Sequence, residues 1–384
     1  MALTNVYYSP SGAGSQDGSS AANAKAAVTG TSWTTTLEGE TRQNTRWIFL
    51  AGTYTVNDTL VVSSTVPDAS NPHFWVGADA NGNILQPKWS DASQAHLDTT
   101  DYPKIVQQGN KVTYDSEPHT YFQCLSFENT SSTFTTAVIN NVFSEIIRTL
   151  YYGCFIKFGD NSSASNNNAV ALNMPAARAV MCEMVAGGTK YNAVVKIGGS
   201  NSAAIIESRV YGPGTSGSGD GDGIENSSGS NNQVINCVID NVHGDGIFDT
   251  LSASNTVTNY VNNTITRCGA NGIDSSGGIQ SNGPCLIESN IIHEVGGFAV
   301  VANAANNDLV VGTQIAIGDA SSGNFSNLDE YENTFNVTAV STADFVDYAN
   351  QDYRIRRDSA LYKFNNGKNL GAIQNEDFEF VSVS

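Results

Sequence analysis

The chain has 384 residues, with 37 acidic against 18 basic side chains and a net charge of −19. That length exceeds one ordinary compact core and points to two domains or one elongated repeat, while 40% hydrophobic and 14% charged residues exclude wholesale disorder. No apolar run reaches the ~18 residues of a bilayer span, and so acidic a surface repels nucleic acid and anionic lipid, leaving neutral glycans, proteins and Ca²⁺-bridged contacts as partners.

Residues 1–45 read as an N-terminal lead-in and cap. Met1-Ala2-Leu3-Thr4 lacks the basic start and apolar stretch of a secretory signal. The chain is therefore expected either to assemble in the cytosol or to have lost an export signal. Val6-Tyr7-Tyr8 predicts a strand, followed by a Gly/Ser/Asp loop from Pro10 to Ser20. Trp47-Ile48-Phe49-Leu50 predicts the next strand and Ala51-Gly52-Thr53-Tyr54 its turn. Residues 66–118 carry Pro67, Pro72, Pro87, Pro103 and Pro118 and predict long loops leaving the early turns of the body. Trp33, Trp47, Phe74, Trp75 and Trp89 crowd this end, where they are expected to fill a wide interior.

From Tyr121 onward the chain repeats itself. Seven segments align: 121–127, 151–157, 179–185, 205–211, 234–240, 260–266 and 286–292. Their fourth position is always small: Cys124, Cys154, Cys182, Ser208, Cys237, Asn263 and Ser289. A second column, Asp222-Gly223-Ile224, Asp245-Gly246-Ile247, Asn271-Gly272-Ile273 and Phe298-Ala299-Val300, keeps step with the first. The linkers are too short and too rich in Gly, Ser and Asn for helices. Parallel strands otherwise need long crossovers, and in a solenoid the rest of each turn serves as the crossover. The expected fold is all-β: a single-stranded right-handed parallel β-helix with capped ends, its body over 46–335. The small column then becomes an internal ladder, which accounts for four of the six cysteines without a metal or a disulfide.

The acids of the second column carry the candidate chemistry: Asp220, Asp222, Glu225, Asp245, Asp249 and Asp274. Carboxylates on adjacent rungs lie ~5 Å apart, near the separation a glycosidase requires, and their repulsion raises one pKa as a general acid needs. Asp222, Asp245, Asp249 and Asp274 are thus catalytic candidates, with His243 and Arg267 as weaker bases. Asp220 and Asp222 could hold Ca²⁺ through oxygen ligands, the one cofactor the residues suggest. The competing expectation is that each Asx-Gly pair shapes the turn into a buried strand. Basic side chains between Lys196 and Arg354 are limited to Arg209 and Arg267, which disfavours lyase chemistry.

Residues 336–384 form a closing segment and tail, marked by Asp344-Phe345-Val346-Asp347, Asp352-Tyr353-Arg354-Ile355, Ser359-Ala360-Leu361-Tyr362 and Asn369-Leu370-Gly371. Together with the Tyr8–Ser20 loop and the Ala51–Tyr54 turn, these segments resemble the pectate-lyase-like β-helix superfamily over roughly residues 5–375. The resemblance implies the fold; the superfamily spans lyases, hydrolases, epimerases, tailspikes and structural virion proteins. Asp220-Gly221-Asp222 and His243-Gly244-Asp245 resemble two of the four catalytic segments of polygalacturonases. Ala270-Asn271-Gly272 stands where their His segment belongs, and the basic segment has no counterpart. The closing segment is similar to that of many bacterial and phage members. The missing signal, the start methionine, the low charge density, the Asn/Ser/Gly-rich rungs and the incomplete catalytic sets fit the expectation of a virion-associated structural protein (decoration protein, fibre or tailspike), homotrimeric as the resemblance implies, located in the virion, with other virion proteins and a host surface glycan as partners. The alternative is an extracellular carbohydrate-active enzyme, a glycoside hydrolase ahead of a polysaccharide lyase.

Overall fold

The computed structural model describes residues 3–27, 43–56, 59–60, 67–116, 118–141, 149–159, 169–198, 202–216, 220–227, 231–249, 258–274, 285–301, 310–311, 314–326, 336–362 and 370–372. Three parallel sheets wind along one axis as a right-handed β-helix, each coil giving one strand to each sheet in turn. One such coil runs Ala177–Val180, Glu183–Ala186, Ala193–Ile197. Among the described residues the first sheet holds twelve strands, the second eleven and the third nine. Thr4–Ser9 lies near one end of the first sheet, paired in parallel with Thr45–Leu50. No helix among the described residues is long and apolar enough to cross a membrane.

Period-two alternation within each strand decides what fills the bore. Val195, Ile224, Ile247, Ile273 and Val300 pair rung on rung in the third sheet, all fully buried. At the N-terminal end the filling is aromatic: Tyr8, Trp47, Phe49, Trp75, Tyr114, Phe122 and Tyr151 are buried. Trp47 and Trp75 sit 5.1 Å apart, and Phe122 stacks on Tyr151 at 5.0 Å. Phe74 and Trp89 lie outside the bore instead, and Trp33 falls outside the described residues.

The small column forms the tight corner between the first and second sheets, with a register that differs from the sequence alignment at both ends. Sheet pairing puts Leu125, Cys154, Cys182, Ser208, Cys237, Asn263 and Asn290 in one column. Cys124 and Ser289 belong one position earlier, with Gly153, Met181, Glu207, Asn236 and Asn262. All seven residues of that earlier position have φ between 51° and 62°; six are not glycine, at a cost of about 1 kcal/mol each. The turn holds one left-handed residue and one buried residue. A small side chain suits both, so size alone misplaces the register. The buried position closes the corner's hydrogen bonds. Cys237 N–H donates to Asn263 Oδ1 at 2.9 Å, Asn263 N–H to Asn290 Oδ1 at 2.8 Å, and Asn263 Nδ2 to Val234 O at 2.9 Å. The thiols of Cys182 and Cys237 donate back to Tyr151 O and Ile205 O. Cys124, Cys154, Cys182, Cys237 and Cys268 are free and buried.

The second sheet's outer face is covered by the chain itself. The stretch from Asp79 to Pro103 folds back over it, with Trp89 to Leu97 on Glu183, Arg209 and Tyr211, and residues 340–362 and 370–372 pack Val340, Phe345, Tyr353, Ile355, Leu361 and Leu370 against Tyr211, Val238, Ile291 and Ala316.

Candidate functional site

The acidic column stands where the third sheet begins. Each member accepts the main-chain N–H of the next coil. Asp222 Oδ1 takes Asp245 N–H at 2.9 Å, Asp245 Oδ1 takes Asn271 N–H at 2.6 Å, and Asn271 Oδ1 takes Phe298 N–H at 2.8 Å. Asn271 does the same work as the two aspartates, so the position asks for an acceptor oxygen rather than a charge. Gly246, next in sequence, has no room for a side chain: a Cβ would lie 2.4 Å from Ile265 Cγ2 and 2.7 Å from Gly272 O. Asp222 is 3% exposed. Burial pushes its carboxyl up to about 8, helped by the charges of Asp245, Asp220 and Glu225 and opposed by the Asp245 N–H.

The outer face of the same sheet carries a polar stripe. Asn140, Asn173, Lys196, Glu225, Phe248 and Asp274 succeed one another by strand pairing. Asn173 Nδ2 donates to Asn140 Oδ1 at 2.8 Å. Lys196 Nζ meets Glu225 Oε1 at 2.7 Å, and Asn192 Nδ2 donates to Glu225 Oε2. Lys196 is a member of this stripe outside the sequence-derived candidates; the signal that points to it is Val195, which pairs with Ile224 of the next coil and sets Lys196 beside Glu225.

The remaining candidates scatter. Asp249 is 5% exposed and accepts Tyr260 Oη at 2.6 Å; Asn226 Nδ2 donates to that hydroxyl at 3.0 Å, and Asn232 Nδ2 to Asn226 Oδ1 at 2.8 Å. This polar chain lies inside the solenoid, away from any face. His243 packs edge-on against Tyr191 with ring centroids 4.6 Å apart. It also sits over Gly221, where φ is +64° and a Cβ would fall 1.9 Å from His243 Nε2. Asp220 is exposed on the loop just before. Asp274 pairs with Phe248 and Val301, and its side chain falls outside the described residues.

Arg267 belongs to another part of the molecule. It lies in Thr264–Cys268 of the second sheet. Its guanidinium forks onto fully buried Asp240, with Nε to Oδ1 at 2.7 Å and Nη2 to Oδ2, and donates to Tyr353 Oη at 2.8 Å. Gln351 Nε2 completes Asp240 at 3.0 Å, and Tyr348 lies 5.8 Å from the guanidinium carbon. This is the anchor of the closing segment. Arg209 plays the same part beneath the 79–103 stretch, donating to Gln94 O at 2.7 Å with its guanidinium 4.4 Å from the Trp89 ring centre.

Among the described residues no group of three or more His, Cys, Asp and Glu side chains is placed to hold a metal ion. The site therefore consists of laddered carboxyls at the sheet's leading edge and a neutralised Lys–Glu pair on its face.

The three parallel sheets define a right-handed parallel β-helix. Among solved structures, pectate lyase Pel9A matches with a TM-score of 0.57 at 14% identity, over 98% of this chain and 97% of that one. At that identity the likeness establishes the fold alone. No protein-family model matches the chain, and no curated protein sequence does.

Proposed function

We propose that this chain is a structural β-helix of a phage particle, a decoration protein, fibre or tailspike, acting as a stiff rod that presents its loops to capsid or host surface. One observation carries the reading: the candidate acids are employed by the fold. Asp222 and Asp245 each bind the backbone of the next coil, and Asp249 holds Tyr260 in the interior. A glycosidase needs two carboxyl groups free to face one bond, roughly 5–9.5 Å apart. Assembly as a homotrimer with other virion proteins, residence in the virion and contact with a host glycan belong to the same proposal. A net charge of −19 suits a neutral glycan better than an acidic one.

A second reading, a glycan-cleaving enzyme, draws on Asp222. With its carboxyl pushed up to about 8, it keeps a proton at neutral pH, as a general acid does. The test is to incubate the purified protein with a panel of neutral and acidic polysaccharides, with and without Ca²⁺, following reducing ends and the ultraviolet absorbance of unsaturated uronides. No turnover on any substrate is the expected result. Turnover that disappears in Asp222→Asn or Asp245→Asn would replace the structural reading with the enzymatic one.

A further inference from the structure

The first sheet's outer face is unlike the other two. Its inward residues, among them Phe122, Tyr151, Ile205, Val234 and Tyr260, are buried in the core, so the alternate residues point out. Nearest the corner these run Tyr152, Val180, Ile206, Ile235 and Val261, paired one above the other. Four successive coils thus present a β-branched aliphatic side chain to the outside. All four are half-buried, and none belongs to a buried core cluster. On the same face Phe74 and Tyr121 stack at 4.9 Å with their rings 16° from parallel. Parallel sheets are ordinarily covered on both faces, and apolar residues on both sides of a strand are the mark of it.

Charge separates this face further. In a chain with 37 carboxylates, the outward positions of the first-sheet strands from Phe74 to Val261 carry none, and Arg178 is their one charged side chain among the described residues. Glu288 ends the ridge, paired with Val261 on the next strand, and Glu207 lies at the adjoining corner, where burial raises its carboxyl.

We propose that copies of this chain associate through the outer face of the first sheet, with the Val180–Ile206–Ile235–Val261 ridge at the centre of the contact. A molecule of this net charge repels its own kind over most of its surface, and this face removes that repulsion where two copies meet. The area is that of a small contact: seven strands at ~4.8 Å spacing and about four residues of ~3.3 Å each make a patch of roughly 440 Å², so two copies bury about 900 Å², at the low end of protein interfaces. The proposal gives a surface to the assembly part of the structural reading and rests on that part alone.

The experiment is light scattering on the size-separated protein. The unaltered chain is expected at a multiple of 40.6 kDa. The double variant Ile206→Lys with Ile235→Lys is expected at 40.6 kDa with an unchanged circular dichroism spectrum. Ile206→Thr with Ile235→Thr keeps the β-branching and is expected to weaken association at least tenfold, which guards against a lysine variant that fails to fold. An unaltered chain that runs as a monomer overturns the proposal together with the assembly it rests on. An oligomer whose mass neither variant changes overturns the surface and leaves the assembly standing. Glycan turnover by an oligomer that the variants dissociate would remove the non-enzymatic reading and support this surface.

Discussion

The second and first sheets share one backbone pattern and opposite outer faces. The second sheet points Glu183, Arg209, Asp240 and Arg267 outward and buries them under its own chain. Glu183 accepts Leu97 N–H at 2.8 Å and meets His96 Nδ1 at 2.9 Å; Arg209 meets Gln94 and Trp89; Asp240 and Arg267 meet Gln351 and Tyr353. The first sheet points Val180, Ile206, Ile235 and Val261 outward with no such residues among them. A buried charge needs partners at fixed positions, and a covering segment within the same chain supplies them. An aliphatic ridge needs only another apolar surface. On the second sheet the charged outward residues fix where the covering segments sit, and Tyr211, Val238, Ile291 and Ala316 between them supply the apolar contact; on the first sheet the ridge is aliphatic without such anchors.

Breaking the covered face has the largest expected effect. Arg267→Ala leaves Asp240 buried without its counter-charge, with Gln351 as its remaining side-chain donor, and is expected to cost about 3–5 kcal/mol, read as a fall in Tm with early proteolytic cleavage after Val340. If Arg267→Ala melts with the unaltered protein, the closing segment is not anchored there. Trp89→Ala removes the ring from Arg209 and part of the 79–103 cover. A loss of about 2 kcal/mol is expected, with cleavage near Ala95 instead.

The third sheet lies between these extremes, and Asp222 tests it by pH. Its folded pKa is raised, so the proton it carries favours the folded state. That contribution is complete below the unfolded value of 3.8 and disappears as pH rises through about 8. Asp222→Asn keeps the acceptor oxygen without the charge. Its stability advantage over the unaltered chain, read by urea unfolding across the pH range, is expected to grow between those limits. The growth is about 1.4 kcal/mol for each pH step of one over which the folded carboxyl keeps its proton and the unfolded one has lost it. A constant difference across that range would mean that Asp222 is ionised in the fold.

His96 gives the smallest effect. The Glu183 hydrogen bond raises its pKa against the opposing pull of burial, so its stabilisation is present below the ordinary histidine value and lost as pH climbs through the folded one. The ring is half exposed, which limits the contribution to a few tenths of a kcal/mol. His96→Gln should show that loss in acid and none in alkali, measured by urea unfolding at both ends.

Much of this fold is legible in the order of residues. The recurrence of an Asx-Gly-aliphatic triplet at 222, 245 and 271 places three coils in their observed register, because the acceptor oxygen, the missing side chain and the inward aliphatic are each required locally at every turn. The corner ladder is legible only to within one residue, because Cys124 and Ser289 satisfy the left-handed position as well as their counterparts satisfy the buried one. What the candidate acids and bases do is another matter. Asp240 and Arg267 pair across one coil, Arg209 reaches Gln94 across 115 residues, and Ala372 N–H reaches Thr264 Oγ1 across 108. A repeat is written in short-range spacing and can be read along the chain. Which face of the solenoid receives the returning loop and tail depends on contacts between residues a hundred positions apart, and only the folded molecule brings those together.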